Sequence, residues 1–510
     1  MNELKRRDGL LGACRNEGGN QSVSEIPADS SSLRVGSTLN LMLLSSFYLC
    51  EACALLIVLA LYRFSSKPSA TEFLSSLPGI VFVVALVGSA LSLGVIAHEY
   101  LCSRKAGSRQ FGKHLMMNLI VVMITTVAGE VLLRLVATKN PGGGGEVLLG
   151  NRLLPPREWQ LVVRHFSGIL QTAASKQNYL VYDHLLGWTV GTNRRSEDGL
   201  YFSSAEGIRS LGMGVAYRDR PSTCRIALVG DSFTFAQEVM FEDSWGYQLE
   251  LGLPAGCHVL NFGVPSYGVD QMYLRYLRDV RPWHPNIVIL GFIGDDLLRT
   301  MNVYRFLSSR GSGIPWAKPR FVLKDQRPLQ VNVPLPEADE IFSAKSIKDL
   351  PYINYDSNYR PTEWDQGPYW RLAHSSYLFR FLISLYPLWD MPREEVSDEA
   401  MESINRVFFR SFIQQASSEG SIPILVYFPS AEEVLRYQRS RTPVSLKVLR
   451  EAGVMYTDLT PCLSDALSSK EVAPSDVWTR EGAGHYTRHG NAAVARCLDG
   501  VVAGHLAATK

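Results

Sequence analysis

The chain has 510 residues, a net charge of +2 and a hydrophobic fraction of 46%. This is too long for one ordinary core, so two or three regions are expected. The near-balanced charge argues neither for nucleic acid nor for another polyanionic partner, and no nucleic acid is expected. The eight cysteines offer no metal-type pairing: Cys50 and Cys53 sit inside an apolar run as buried thiols. Neither a metal nor a cofactor is expected, and no repeat of solenoid length occurs.

Residues 1–35 are polar, Gly/Ser-rich and charged, the composition of a disordered tail. Within 36–138 lie three apolar runs: Leu39–Tyr62 with 24 residues, Leu77–Ala97 with 21 and Leu115–Ala137 with 23. Each is long enough to cross a hydrocarbon layer of about 30 Å as a helix, and three transmembrane helices are expected. Glu51 falls within the first run, where a charged carboxylate is costly. Glu130 and Arg134 in the third are four apart and so share a helix face. Lys5, Arg6, Arg7, Arg15 and Arg34 in the tail and Arg104, Lys105, Arg109 and Lys113 in the second loop outnumber Arg63 and Lys67 in the first. The tail and second loop are therefore expected in the cytoplasm, and the chain after Ala137 outside a multi-pass membrane region.

Residues 139–222 read as a hinge, Asn140-Pro141 followed by four glycines, and a turn-rich lead-in with Tyr182-Asp183-His184 and Gly187-Trp188. Residues 223–510 alternate short apolar runs with helical stretches. The runs are Arg225–Val229, His258–Asn261, Asn286–Phe292, Ile422–Phe428 and Val454–Leu459. The helices are Ser244–Leu253, Asp270–Val280, Ala400–Ser418, Ser445–Ala452 and Thr487–Val502. Continuous apolar strands alternating with helices imply an α/β domain with a flavodoxin-like, doubly wound parallel sheet. A long insertion at about 300–395 is rich in Pro and aromatics, including Trp316, Tyr352, Tyr355, Tyr359, Trp364, Tyr369 and Trp370. It is either a lid or sugar platform over the site, or a side wall with its own small core.

The first apolar run ends in Gly230-Asp231-Ser232-Phe233. A serine at a strand tip can face a substrate, and its own N–H can help to hold an oxyanion. The second run leads into Asn261-Phe262-Gly263-Val264-Pro265-Ser266-Tyr267-Gly268, and the last helix opens on Gly484-His485-Tyr486-Thr487. These segments resemble three sequence blocks of the SGNH/GDSL hydrolases, over about residues 180–300 and 420–505. The resemblance implies the SGNH hydrolase fold, Ser232 as nucleophile and His485 as base. It also places an oxyanion-holding N–H on Ser266, in the block that contains Gly263. The family's usual substrates are esters, often acetyl groups on sugars.

Two positions depart from the family pattern. Where its third block offers Asn as an oxyanion donor, this chain has Asp295, and an ionised Asp only accepts hydrogen bonds. The family's Asp two or three residues before the histidine is replaced by Gly482 and Ala483. Glu481 is then the expected acid, with Asp476 or a Ser-His dyad as alternatives. Cys224 and Cys257 would start adjacent strands at the same level, and Cys462 and Cys497 would join the last two helices. Two disulfides or four free thiols are open, the disulfides being favoured by an exported domain. The expectation is a membrane-anchored serine esterase, deacylase or O-acyltransferase acting on an acyl ester, with an envelope or exported polysaccharide as carrier. A catalytically degenerate glycan-binding or scaffold protein of an export complex is the alternative.

Overall fold

The computed structural model describes residues 109–139, 146–150, 152–175, 178–309, 312–364, 368–384, 397–441, 446–468, 473–480 and 484–508. The first two apolar runs, Glu51, the glycine hinge and Glu481 lie outside them. Two compact units divide the chain. One takes residues 1–140, 146–156 and 365–390; the other takes 141–145, 157–364 and 391–510.

In the first unit the helix Arg109–Val136 carries the third apolar run. Among the described residues no helix is long and apolar enough to cross a membrane. Those residues omit several side chains of this run. The side chains that are described at Met116, Met123, Val127, Leu132 and Leu135 are exposed. Glu130 does pair with Arg134, at 2.7 Å. It also accepts hydrogen bonds from the Tyr377 and Leu378 N–H groups at 2.9 Å and from Ser376 Oγ at 2.8 Å. It therefore caps the helix Tyr377–Ser384 from a distant part of the chain. The insertion is thus not one piece, since residues 365–390 belong to this unit.

The second unit is built on β1 (Cys224–Gly230), β2 (Cys257–Asn261), β3 (Ile287–Phe292), β4 (Ile422–Tyr427) and β5 (Thr457–Asp458). All pair in parallel, in the order 2-1-3-4-5. This is the flavodoxin-like order. Beyond β2 the sheet gains two short antiparallel strands from the lead-in, Phe202–Ser203 and Arg209–Ser210. Side chains alternate strictly between two cores. Ala227, Val229, Leu260, Val288, Leu290, Phe292, Leu425 and Tyr427 face one side. Ile226, Leu228, Val259, Ile287, Ile289, Ile424 and Val426 face the other. Because both faces are covered, the strands read as unbroken apolar runs.

The helices Val269–Arg275 (α1) and Asp398–Ser418 (α2) cover the first side. The helices Trp245–Gly252, Ala431–Ser440, Thr460–Leu467 and Arg488–Ala508 (α3) cover the second. A capping box at Ser430 and Glu433 starts the second of these four. In the lead-in, Asp183 accepts from the N–H groups of Leu185 and Leu186 and pairs with Arg278 at 2.7 Å. The Asp183 turn thereby fixes the strand Gly187–Val190 that follows.

Within residues 157–364 the insertion forms its own small core with the helix Trp159–Ser175. Trp364 is buried there under the Arg157 guanidinium, 4.4 Å from the ring centroid, and Tyr352, Tyr355 and Tyr359 pack against the same cluster. Trp316 packs on the main core. These aromatics pack into a side wall, Trp364 buried and the others half-buried.

Cys224 pairs with Cys257, and Cys462 with Cys497. The first bridge joins register partners of β1 and β2 and closes a separation of 33 residues. Replacing both of its cysteines by alanine is expected to lower the free energy of unfolding by about 2–4 kcal/mol, measured by urea titration. A mass gain on reduction and alkylation, compared with alkylation alone, would confirm that both bridges form.

Candidate active site

Gly230 and Gly291 lie side by side where β1 and β3 end. A Cβ on Gly230 would lie 2.0 Å from Thr234 Oγ1 and 2.4 Å from the Gly291 carbonyl. A Cβ on Gly291 would lie 2.3 Å from Phe428. Two glycines let the next turn fold tightly over the strand ends. This is where the strand order reverses, the usual place for a site in an open α/β sheet.

Asp231 caps the short helix Ser232–Phe235, with Oδ1 accepting the Phe233 N–H at 2.8 Å. Ser232 therefore stands at the tip of β1, and its Oγ lies 2.8 Å from His485 Nε2. The structure thus brings together two side chains 253 positions apart. His485 sits in a narrow return before α3, bridged by Trp478 and Tyr486. The Thr479 N–H donates to the His485 carbonyl at 2.8 Å. Phe233 packs 5.0 Å from the imidazole, and the Tyr486 hydroxyl donates to the Pro429 carbonyl. The ring is held by packing on one side and by backbone bonds on the other.

Among the described residues the carboxylate beside His485 is Glu238, with Oε1 3.3 Å from Nδ1. No sequence pattern pointed to it, because it follows the serine instead of preceding the histidine. Glu238 also accepts from Thr479 Oγ1 and pairs with Arg480 at 2.7 Å. Burial works against its charge, but the Thr479 hydroxyl and the facing His485 hold its carboxyl below the usual range. The chain reaches this position through left-handed backbone at Ala236 (φ 58°) and Glu238 (φ 73°). Such conformations persist only where surroundings enforce them. Here buried Arg209 donates to the carbonyls of Phe235, Ala236 and Val239. The Glu238 N–H donates to the Tyr201 hydroxyl at 2.9 Å.

The loop after β2 runs alongside the Ser232 turn. Val264 N–H bonds the Gly230 carbonyl at 3.0 Å, and a Cβ on Gly263 would lie 2.5 Å from the Phe235 nitrogen. Gly263 thus serves close approach. Its own N–H is taken by Asn261 Oδ1 at 3.0 Å and is not open to a substrate. Asn261 also donates to the Thr234 carbonyl. Ser266 has φ 68°, and its N–H takes no hydrogen-bond partner among the described residues. Asp295 is exposed at the start of the helix Gly294–Arg299 and takes no hydrogen bond among the described residues.

The buried acid of that helix is its neighbour, Asp296. It accepts the Ile293 N–H at 2.9 Å and a hydrogen bond from Arg299, whose guanidinium also lies 3.3 Å from Asp231. Burial and the facing Asp231 raise the Asp296 pKa well above its ordinary value. Burial works against the Arg299 charge, but Asp296 and Asp231 hold its pKa above the usual arginine value. One guanidinium between the two acidic side chains fixes the floor under Ser232.

No family model matches the chain, and no curated protein matches it. Solved structures do. A lipolytic protein of the G-D-S-L family from Desulfitobacterium hafniense DCB-2 is 14% identical, over 55% of this chain and 99% of that one, with a TM-score of 0.26. An acetylxylan esterase from Geobacillus stearothermophilus is 14% identical over 55% and 94%, with a TM-score of 0.27. A two-domain esterase active on acetylated mannans, co-crystallised with mannopentaose, is 11% identical over 55% and 49%, with a TM-score of 0.28. At these values the likeness carries no argument about chemistry.

The raised pKa of Asp296 has a consequence for stability. Folded, the carboxyl keeps a proton that the unfolded chain has already released, so stability falls as pH rises from about 3.8 towards the raised value. Asp296→Asn is expected to flatten that slope, compared by denaturant titration at mildly acidic and neutral pH.

Proposed function

We propose that the second unit is a serine ester hydrolase or acyl transferase. The observation that carries this reading is Ser232 Oγ 2.8 Å from His485 Nε2, with Glu238 Oε1 lying 3.3 Å from the far nitrogen Nδ1. A hydroxyl in contact with an imidazole whose far nitrogen faces a carboxylate is an activated nucleophile.

In the proposed reaction Ser232 Oγ bonds to the acyl carbon as its proton passes to His485 Nε2. The carbonyl π pair moves onto oxygen, where the N–H groups of Ser232 and Ser266 hold the developing charge. Collapse of this intermediate breaks the bond to the alcohol, which leaves with the proton from His485. Water, or an acceptor alcohol in a transferase, then attacks the acyl-serine, again giving its proton to His485. The acyl group departs and Ser232 regains its proton. Glu238 holds the imidazole in the tautomer that accepts at Nε2 and faces the imidazolium charge once it forms.

An acyl ester on a carbohydrate is the proposed substrate class, following the resemblance of the three sequence blocks. Membrane attachment with this unit outside the cytoplasm is proposed from the three apolar runs, the Lys/Arg asymmetry and two disulfides. Asp295, without donor capacity when ionised, favours a second reading as a binding protein that has lost catalysis.

A fluorophosphonate probe separates the two. Labelling of the full chain that disappears in Ser232→Ala supports the enzyme, and absence of labelling in folded protein supports the binding protein. Glu238→Gln is expected to lower kcat on an activated ester by about 10²-fold or more, because the imidazole loses its orienting charge. Glu481→Gln is the matching control, expected to stay close to the starting rate.

A further inference from the structure

We infer that Trp188 is a positioning residue for the oxyanion site, acting through the Pro265–Ser266 peptide. The inference rests on the esterase reading above and assigns a role to a residue in the lead-in, outside all three recognised blocks.

The indole Nε1 of Trp188 donates to the Pro265 carbonyl at 3.0 Å. Pro265–Ser266 is not among the cis bonds of the described chain. A planar trans peptide carries its C=O and N–H in opposite directions. Holding the carbonyl towards Trp188 therefore aims the Ser266 N–H the other way. Trp188 is completely buried in the core beneath the sheet ends, so the opposite direction is away from that core. Among the described residues the Ser266 N–H has no partner. A buried donor has been spent on a loop carbonyl, and the result is one free N–H on the loop that runs beside the nucleophile turn.

The rest of the loop is clamped in the same sense. The Tyr267 hydroxyl donates back to the Trp188 carbonyl at 2.6 Å, and the two rings meet edge to face with centroids 5.8 Å apart. Gln271 Nε2 donates to the Leu186 carbonyl at 2.7 Å, while its Oε1 accepts the Gly268 N–H at 3.2 Å. Arg299, already tied to Asp231, donates to the Tyr267 carbonyl at 3.1 Å. The peptide between Pro265 and Ser266 could still turn over by compensating rotations on either side. The Ser266 φ of 68° already lies in a sparsely populated region for a serine. The indole bond is the contact that selects one orientation of this peptide.

The test replaces only the N–H. Trp188→Phe keeps an aromatic ring in the core. A benzothienylalanine at position 188 keeps the bicyclic shape and substitutes sulfur for N–H, which safeguards folding. Each is assayed in the full chain with p-nitrophenyl acetate and with its thionoester, whose sulfur accepts hydrogen bonds poorly. The expected result is a kcat loss of about 10- to 10²-fold with KM near that of the starting protein. The ratio of ester to thionoester turnover is expected to fall by a similar factor. An unchanged ratio in the benzothienyl protein overturns the inference while its esterase activity stands. Absence of both turnover and fluorophosphonate labelling in the unaltered chain overturns the esterase reading and this inference with it.

Discussion

The turn after Ser232 takes left-handed backbone at two non-glycine residues, and buried Arg209 enforces it by gathering three carbonyls of that turn. The geometry of the site descends from this constraint. Each left-handed residue costs on the order of 1 kcal/mol or more. A fully buried guanidinium needs acceptors in return, and here backbone carbonyls supply them. The two demands meet, and Glu238 is delivered to the imidazole as a result. A carboxylate that faces the histidine can therefore follow the serine in sequence, provided that a neighbouring segment fixes the turn between them.

The same economy of polar groups recurs under the serine. Asp231 caps its helix with one oxygen and faces Arg299 with the other. Arg299 reaches Asp296 on its own helix and the Tyr267 carbonyl on the loop after β2. The ends of three strands are thus tied through one guanidinium. Removing a partner from such a buried group leaves an uncompensated charge, which costs far more than the network gains by forming. The arrangement serves placement first and stability second. Arg209 grips the acid turn and Trp188 the oxyanion loop, so the lead-in at residues 179–217 is part of the site's support. The short strand pair it adds at the sheet edge holds that support in register.

The insertion divides between two roles. Residues up to 364 pack most of their aromatics, Trp364 foremost, on a small core of their own, while Trp316 packs on the main core. Residues 368–384 lie with the helix that carries the third apolar run, where Glu130 caps Tyr377–Ser384. A carboxylate in an apolar stretch is costly unless it finds donors. Glu130 finds two backbone N–H groups, a hydroxyl and an arginine.

What the sequence determined by itself is the sheet and the two ends of the reactive pair. Unbroken apolar runs at 226–229, 287–290 and 424–426, each followed shortly by Gly or Pro, suit strands covered on both faces, because a one-sided strand would alternate. Gly230-Asp231-Ser232 and Gly484-His485 were legible because each motif is local: a strand end, a cap and a tight return are written in consecutive residues. The pairing of Cys224 with Cys257 was legible for a similar reason, since strand register carries side chains at equal depth to the same level. The tertiary structure alone decided Glu238, Arg209, Trp188 and the choice of Asp296 over Asp295 as the buried acid. Glu238, Arg209 and Trp188 each act across a fold-dependent gap, on a ring nitrogen or a backbone carbonyl. Such contacts leave no spacing in the chain, because almost any residue can present a carbonyl and only the folded path decides which one faces the donor.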